Sequence, residues 1–171
     1  MNKNRPTSNE YAPYYHTYIG KVPEGTLLDL LAQSYNEFLA ITQNIDASKE
    51  DYRYAEGKWS IKEVLQHLID TERVMQYRAL RVARNDTTPM AGFDQDDFAA
   101  VAIVSHRSIP DLMAEFNIVR QSSITLFQSL QASNLLHIGT ASGHPVSTRA
   151  LGYIILGHQL HHQKILVERY L

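Results

Sequence analysis

Apolar side chains recur at intervals of three and four residues along most of the chain, which is the spacing of one face of an α-helix. Stretches rich in glycine, proline and asparagine interrupt this pattern. The spacing of apolar residues predicts four long helices, over about residues 26–44, 60–84, 108–131 and 147–171. No sustained alternation of apolar and polar residues is present, so no β-strand is predicted. Four helices of this length are typical of an all-α four-helix bundle.

The second predicted helix has the best-marked start. Ser60 and Glu63 have the spacing of a capping box, and Trp59 and Val64 have that of a hydrophobic staple. The stretch that follows this helix, residues 85–107, is acidic and aromatic and too long for a simple turn between bundle helices. It therefore predicts either a crossover or a loop that covers a site.

The first part of the chain differs in composition from the rest. Residues 1–23 are rich in proline, asparagine and tyrosine, which predicts an irregular N-terminal leader lying over the body of the protein. The bundle domain is then expected to occupy residues 24–171. Residues 139–145 contain two glycines and a proline, which break the chain before the last helix.

The composition of the chain excludes several classes of partner and site. The 171 residues carry a net charge of -2, which gives no reason to expect nucleic acid or an anionic membrane as a partner. The chain contains no cysteine, so disulfides, thiolate metal sites and a cysteine nucleophile are excluded. It has neither a run of apolar residues long enough to span a membrane nor an apolar N-terminal signal. We expect a cytoplasmic protein that acts on a small molecule.

Three histidines lie within five residues of the last predicted helix. His158 and His162 are four residues apart, so their imidazoles rise from one face, on the core side of the helix. His161 lies at the edge of that sector and is an alternative ligand or a neighbouring group. A third ligand must come from elsewhere, and His67 on the second helix is the candidate. The pattern alone leaves two interpretations open: a metal site, or buried histidines that are each satisfied by a hydrogen bond.

Other charged residues have simpler interpretations. The acidic group in the long connection is typical of a solvated loop, and a charged group on the second helix is typical of a helix surface with local ion pairs. The acidic group comprises Asp94, Asp96 and Asp97, and the helix group comprises Glu72, Arg73, Arg78, Arg81 and Arg84.

Several segments together resemble a known family. Residues 59–67, 70–73 and 157–162 are similar to the DinB-like superfamily, also called YfiT-like, and the resemblance extends from about Leu27 to the end of the chain. It implies a four-helix bundle that binds a divalent metal through one histidine on the second helix and two on the last. In this sequence those residues are His67, His158 and His162.

Three functions are compatible with such a site. Three neutral imidazoles leave positions on a metal ion open for water or substrate. The resemblance implies either transfer or isomerisation with a low-molecular-weight thiol such as bacillithiol, mycothiol or glutathione, or metal-dependent hydrolysis. We place the thiol reaction slightly ahead. The third possibility is a non-catalytic bundle that binds a metal or a small ligand. Zn²⁺ or Ni²⁺ is the expected ion, with iron or manganese as alternatives.

The spacing of two carboxylates suggests supporting roles. Asp70 or Glu63 is predicted to orient His67 or to act as a base, because carboxylates commonly hold ligating imidazoles.

The last helix also carries a second apolar sector, away from the histidines. Its members are Tyr153, Leu156, Leu160, Val167 and Leu171. Either the leader and neighbouring helices cover this sector or a second subunit does, and we favour a homodimer.

Overall fold

Four long helices dominate the computed structural model, which describes residues 5–171. In chain order the elements are α1 (His16–Ile19), α2 (Leu27–Thr42), α3 (Ile61–Ala83), α4 (Gln95–Val101), α5 (Ile109–Gln128), α6 (Ala132–Leu135), β1 (Ile138–Ala141), β2 (His144–Ser147) and α7 (Thr148–Arg169). Short 3₁₀ turns occupy Ser8–Glu10, Pro13–Tyr15 and Ala47–Lys49. Helices α2, α3, α5 and α7 form the four-helix bundle, so the predicted fold class is confirmed.

Helices α3 and α5 lie side by side and run parallel. Arg73 donates to Glu115 at 2.5 Å, and Gln76 donates to Ser122 at 2.6 Å, so residue numbers rise together along the two helices. The chain must therefore return along the bundle between them, over a distance of about 30 Å for helices of this length. This requirement explains the long connection, which is a crossover as predicted.

Helix α7 packs between α2 and α3. It is antiparallel to α3, because Tyr170 near its end donates to the carbonyl of Trp59, just before α3 begins, at 2.7 Å. Gln159 in its middle hydrogen-bonds to Ser34 of α2. The order around the bundle is α2, α5, α3, α7, so α2 and α3 lie diagonally opposite each other, as do α5 and α7.

A buried arginine connects all four bundle helices. Arg120 of α5 is fully buried and forms two hydrogen bonds with the carboxylate of Glu72 of α3, at 2.9 and 2.7 Å. It also donates to the carbonyl of Leu31 and the hydroxyl of Ser34 on α2, and to Gln159 on α7. The network fixes the rotation of α7 beside His158, because Gln159 is held from two other helices.

The prediction that the charged residues of α3 lie on the surface is wrong for two of them. Glu72 is 4% exposed and Arg78 is 3% exposed. Arg78 donates to the carbonyl of Ala91 and to the hydroxyl of Ser142, at 2.8 and 3.2 Å, and so fastens the crossover and the segment after α6 to α3. A helical pattern places these residues near the edge of the apolar stripe but does not show which polar partner lies opposite.

A short β-hairpin precedes α7, where the sequence predicts only a break in the chain. Strands β1 and β2 pair in antiparallel fashion around Ser142 and Gly143, whose φ angles are 52° and 78°. Two successive residues with positive φ are typical of a tight hairpin turn. Met90 of the crossover adds backbone hydrogen bonds to the same hairpin. The strands are only four residues long and include Gly139 and Pro145, which conceals the alternating pattern.

The leader packs on α7 and contributes to the core. Arg5 donates to the carbonyls of Ile19 and Val22, at 2.6 and 3.0 Å. Glu10 forms an ion pair with Arg149 and accepts a hydrogen bond from Ser147. Burial alone would raise the pKa of the Glu10 carboxyl, but the hydrogen bonds from Arg149, Thr7 and Ser147 hold this pKa at about 2. Residues 1–4 of the predicted leader lie outside the described residues.

The leader explains why α7 is buried on every side over much of its length. Nine consecutive residues of α7, 151–159, are buried. Tyr153 and Leu156 of its second apolar sector are covered within the chain, whereas Val167 and Leu171 are exposed. The homodimer and the domain boundary at residue 24 stay predictions. Within residues 5–171, none of the helices combines the length and apolar character needed to cross a membrane.

Candidate metal centre

Three histidines from two helices converge at one point. His67 lies in the second turn of α3, and His158 and His162 lie one turn apart on α7. The Nε2 atoms of His67 and His158 are 2.9 Å apart, and one ring nitrogen from each of the three residues lies within 4.8 Å of the others. The structure therefore brings together the three residues that the sequence predicts as ligands.

Burial keeps these imidazoles neutral at neutral pH. It lowers the pKa of His67 to about 4 and the pKa of His162 to about 3, with a smaller effect from neighbouring histidines. The same causes lower the pKa of His158 well below its usual value. A neutral imidazole has one ring nitrogen with a free lone pair. Three such lone pairs in a small volume match the donor set of a divalent metal ion, so the residues present fit a metal.

Two neighbours support the ring of His67. The indole of Trp59 packs on it, with ring centroids 4.6 Å apart. The hydroxyl of Thr71, one turn further along α3, lies 3.5 Å from Nδ1 of His67. From the sequence, Trp59 is predicted only to form a hydrophobic staple with Val64, and no role is predicted for Thr71. The spacing of four residues between His67 and Thr71 was the available signal.

The two carboxylates proposed to act with His67 have other partners. The carboxylate of Glu63 accepts hydrogen bonds from Arg53 and from the backbone nitrogen of Ser60. Asp70 accepts from Gln66 at 3.0 Å, and burial raises the pKa of its carboxyl. Both line a small cavity with His67, under α4. Neither the carboxylate of Glu63 nor that of Asp70 forms a hydrogen bond with His67. The catalytic roles of these two residues stay predictions.

His161 lies beside the cluster but outside it. Its ring packs against Tyr18 at 5.3 Å between centroids, and burial lowers its pKa, with a smaller effect from Lys21. Its ring also lies 5.0 Å from that of His162, but His161 is not part of the group formed by the other three histidines.

Two openings lead to the histidines. One cavity of about 340 Å³ lies between the leader and the start of α4 and reaches His158. Three leader tyrosines line it, together with residues of the crossover; they are Tyr14, Tyr15, Tyr18, Phe93, Asp94 and Asp96. A second cavity of about 220 Å³ reaches His162 beside Trp59. The crossover thus also covers the site. Residues 85–107 are therefore both a crossover and a covering loop, the two alternatives that the sequence predicts. The first cavity lies at the lower end of the size range of small-molecule sites.

A comparison with protein families identifies the fold family. Residues 30–166 match the model of the DinB superfamily. The chain belongs to the DinB superfamily. The resemblance inferred from the motifs is therefore confirmed, and the three converging histidines all lie inside the matched range.

Solved structures with the DinB fold show the same architecture at low sequence identity. YfiT from Bacillus subtilis, described as a probable metal-dependent hydrolase with an unusual four-helix bundle topology, has a TM-score of 0.75 and 14% identity over 93% of this chain and 91% of that chain. A mycothiol-dependent maleylpyruvate isomerase has a TM-score of 0.68 and 13% identity over 85% of this chain. The chain spans 61% of the isomerase. No curated protein sequence matches at a significant level.

The close approach of the leader to α7 predicts the effect of one substitution. A Cβ atom on Gly157 would lie 2.2 Å from the carbonyl oxygen of Tyr18, so Gly157→Ala must push α1 away from the helix that carries His158. We expect faster hydrogen exchange in residues 13–22 and a loss of about 1–3 kcal/mol in the free energy of unfolding. Lys164→Ala, at an exposed position of the same helix, is the control and should change neither. Unchanged exchange in Gly157→Ala would show that the leader is not held there.

Proposed function

We propose that this protein is a metal-dependent enzyme of small molecules, in which His67, His158 and His162 hold a divalent ion that activates the sulfur of an exogenous low-molecular-weight thiol for transfer or isomerisation. The observation that carries the proposal is the group of three neutral imidazoles within 4.8 Å, next to a cavity of about 340 Å³. Zn²⁺ or Ni²⁺ is the ion we expect, because both accept imidazole ligands. Iron and manganese are alternatives.

Residues around the site have supporting roles in this proposal. Trp59 and Thr71 orient the ring of His67, and Tyr18 packs edge-on against His158 at 5.3 Å between centroids. The leader and α4 reduce the access of water. A divalent ion held by three histidines keeps positions open and lowers the pKa of a thiol or water that binds there.

One comparison favours a thiol. The absence of cysteine from the chain is compatible with an exogenous thiol but does not argue for one. One protein with the same fold is a mycothiol-dependent isomerase, which supports this fold as a frame for thiol chemistry. Hydrolysis is the second candidate, because YfiT is described as a probable metal-dependent hydrolase and because Asp70 lines a cavity with His67, where its carboxylate could accept a proton from water.

A screen of electrophiles with matched cofactors tests the proposal. Zn²⁺- and Ni²⁺-loaded protein is assayed with each electrophile alone and with bacillithiol, mycothiol or glutathione, beside a panel of esters and amides without thiol. We expect turnover that requires both a thiol and the metal and is absent in His158→Ala. Turnover of esters or amides without a thiol would replace this proposal with hydrolysis. Stoichiometric metal without any turnover would indicate a non-catalytic bundle and contradict the proposal.

A further inference from the structure

The leader supplies one wall of the cavity at the metal centre. Tyr14 and Tyr18 line that cavity together with His158. Their hydroxyl oxygens are 2.9 Å apart, and their rings meet edge to face at 5.6 Å between centroids. Tyr18 is 9% exposed and lies at the inner end, whereas Tyr14 is 62% exposed and lies at the mouth. The hydroxyl pair therefore extends from solvent toward the histidines.

The hydrogen bonding of the pair leaves one donor free. Each phenol hydroxyl can donate one hydrogen and accept two. The bond between Tyr14 and Tyr18 uses one of the two hydrogens, and no residue from 5 to 171 accepts the other. A hydroxyl hydrogen that faces a cavity is available to a ligand.

From this geometry we propose that the Tyr14–Tyr18 pair donates a hydrogen bond to a small molecule held at the histidine centre, and that this molecule carries a neutral acceptor, such as an amide carbonyl, a few bonds from its metal-binding atom. The inference rests on the proposed metal centre and adds to it a substrate class and two positioning residues. Residues 14 and 18 lie before the range matched by the family model, 30–166.

The charges around the cavity favour a neutral acceptor over an anionic one. Asp94 and Asp96 line the cavity, and its lining residues include no lysine or arginine. Arg78 lies behind Phe93, with its guanidinium 5.6 Å from the centre of that ring, and is 3% exposed. The lining would therefore offer a carboxylate on the ligand like charges and no cationic side chain, so that its only cationic partner in the cavity would be the bound ion itself.

The backbone of the leader holds the pair in place. The carbonyl of Tyr18 lies so close to Gly157 that a Cβ atom there would be 2.2 Å away. Arg5 closes the leader on the other side of α1 through the carbonyls of Ile19 and Val22. A donor on a fixed support contributes more to selectivity than one on a free loop, because less freedom is lost on binding.

Binding of three small thiols to the Co²⁺-loaded protein tests the inference without an activity assay. Ethanethiol has no acceptor, 2-mercaptoacetamide has a neutral one and mercaptoacetate has an anionic one. Affinity is read from the absorption that develops when a thiol coordinates Co²⁺. The three thiols differ in acidity and in their ability to chelate the ion, so each affinity is compared between the unmodified protein and variants that lack the hydroxyls. We expect the hydroxyl pair to raise the affinity for mercaptoacetamide about tenfold, as one added hydrogen bond allows.

Removing the hydroxyls should remove this gain and nothing else. In Tyr14→Phe/Tyr18→Phe we expect the affinity for mercaptoacetamide to fall about tenfold, with the affinities for Co²⁺, ethanethiol and mercaptoacetate unchanged, because the rings remain. Tyr18→Phe alone, a milder change, should lose most of the gain. Tyr52→Phe is the matched control at an exposed tyrosine outside the cavity and should keep it.

The possible failures are distinguishable. An affinity for mercaptoacetamide that is unchanged in the double variant would overturn the inference and leave the metal centre intact. A loss of affinity for mercaptoacetate in the double variant as large as the loss for mercaptoacetamide would overturn the assignment of a neutral acceptor. No absorption change with any thiol in Co²⁺-loaded protein would overturn the thiol-dependent function and this inference together.

Discussion

His158→Ala is expected to weaken the binding of Zn²⁺ by at least about a hundredfold, while His161→Ala changes it by less than about threefold. The two residues are close in sequence and both are histidines, but only His158 belongs to the group whose ring nitrogens lie within 4.8 Å. Replacing His158 leaves two ligands and opens a gap at the buried centre of the site. Competition with a chromogenic chelator, after the protein has been stripped with EDTA, measures both affinities.

Circular dichroism of the stripped variants controls for folding in this comparison. If His158→Ala and His161→Ala weakened binding equally, His161 would contribute to binding as much as His158, and the assignment of His67, His158 and His162 as the ligand set would be contradicted. If the affinity for Zn²⁺ were unchanged in both variants, neither histidine would take part in binding the ion.

Glu72→Ala is expected to lower the free energy of unfolding by about 3–5 kcal/mol. The reason is the partner that remains: Arg120 is fully buried, and without Glu72 its guanidinium loses the only carboxylate that it contacts among the described residues. A buried charge without an opposite charge is costly. Urea denaturation followed by circular dichroism gives the magnitude.

Glu168→Ala is the matched control, because Glu168 pairs with Lys164 on the surface of α7. Its expected effect is below about 1 kcal/mol. The double variant Glu72→Met/Arg120→Leu removes both charges and should be more stable than Glu72→Ala alone. A Glu72→Ala protein as stable as the unmodified chain would show that the Arg120 network does not hold the four helices together.

The residues of the candidate site were accessible from the sequence because part of the signal is local. Two histidines four residues apart share a helix face in any fold. The capping box at Ser60 fixes where α3 begins, and so fixes the height of His67 on that helix. That His67 and not another histidine completes the group depends on how α3 crosses α7. The helical pattern made His67 a candidate, and the family resemblance decided between a metal site and buried histidines that are satisfied separately.

Apart from a short local hairpin, the features that the sequence did not predict depend on partners in other segments of the chain. Glu72 and Arg78 have the sequence context of surface charges, and only the positions of Arg120, Ala91 and Ser142 make them buried connectors. The hairpin before α7 has strands too short to show alternation, although the pair Ser142-Gly143 was a usable turn signal. The role of Tyr18 could not be predicted, because it requires the leader to lie on Gly157.

The diagonal placement of consecutive helices has a consequence for how the chain folds. In a simple up-and-down bundle, each helix can pair at once with the next one along the chain. Here α2 and α3 do not face each other, and α5 runs parallel to α3, so the stabilising contacts join distant segments and loop closure precedes them. His67 and His158 are 91 positions apart. We therefore expect no fragment that lacks either α3 or α7 to retain the metal, and recovery of metal affinity during refolding should report the closure of the whole bundle.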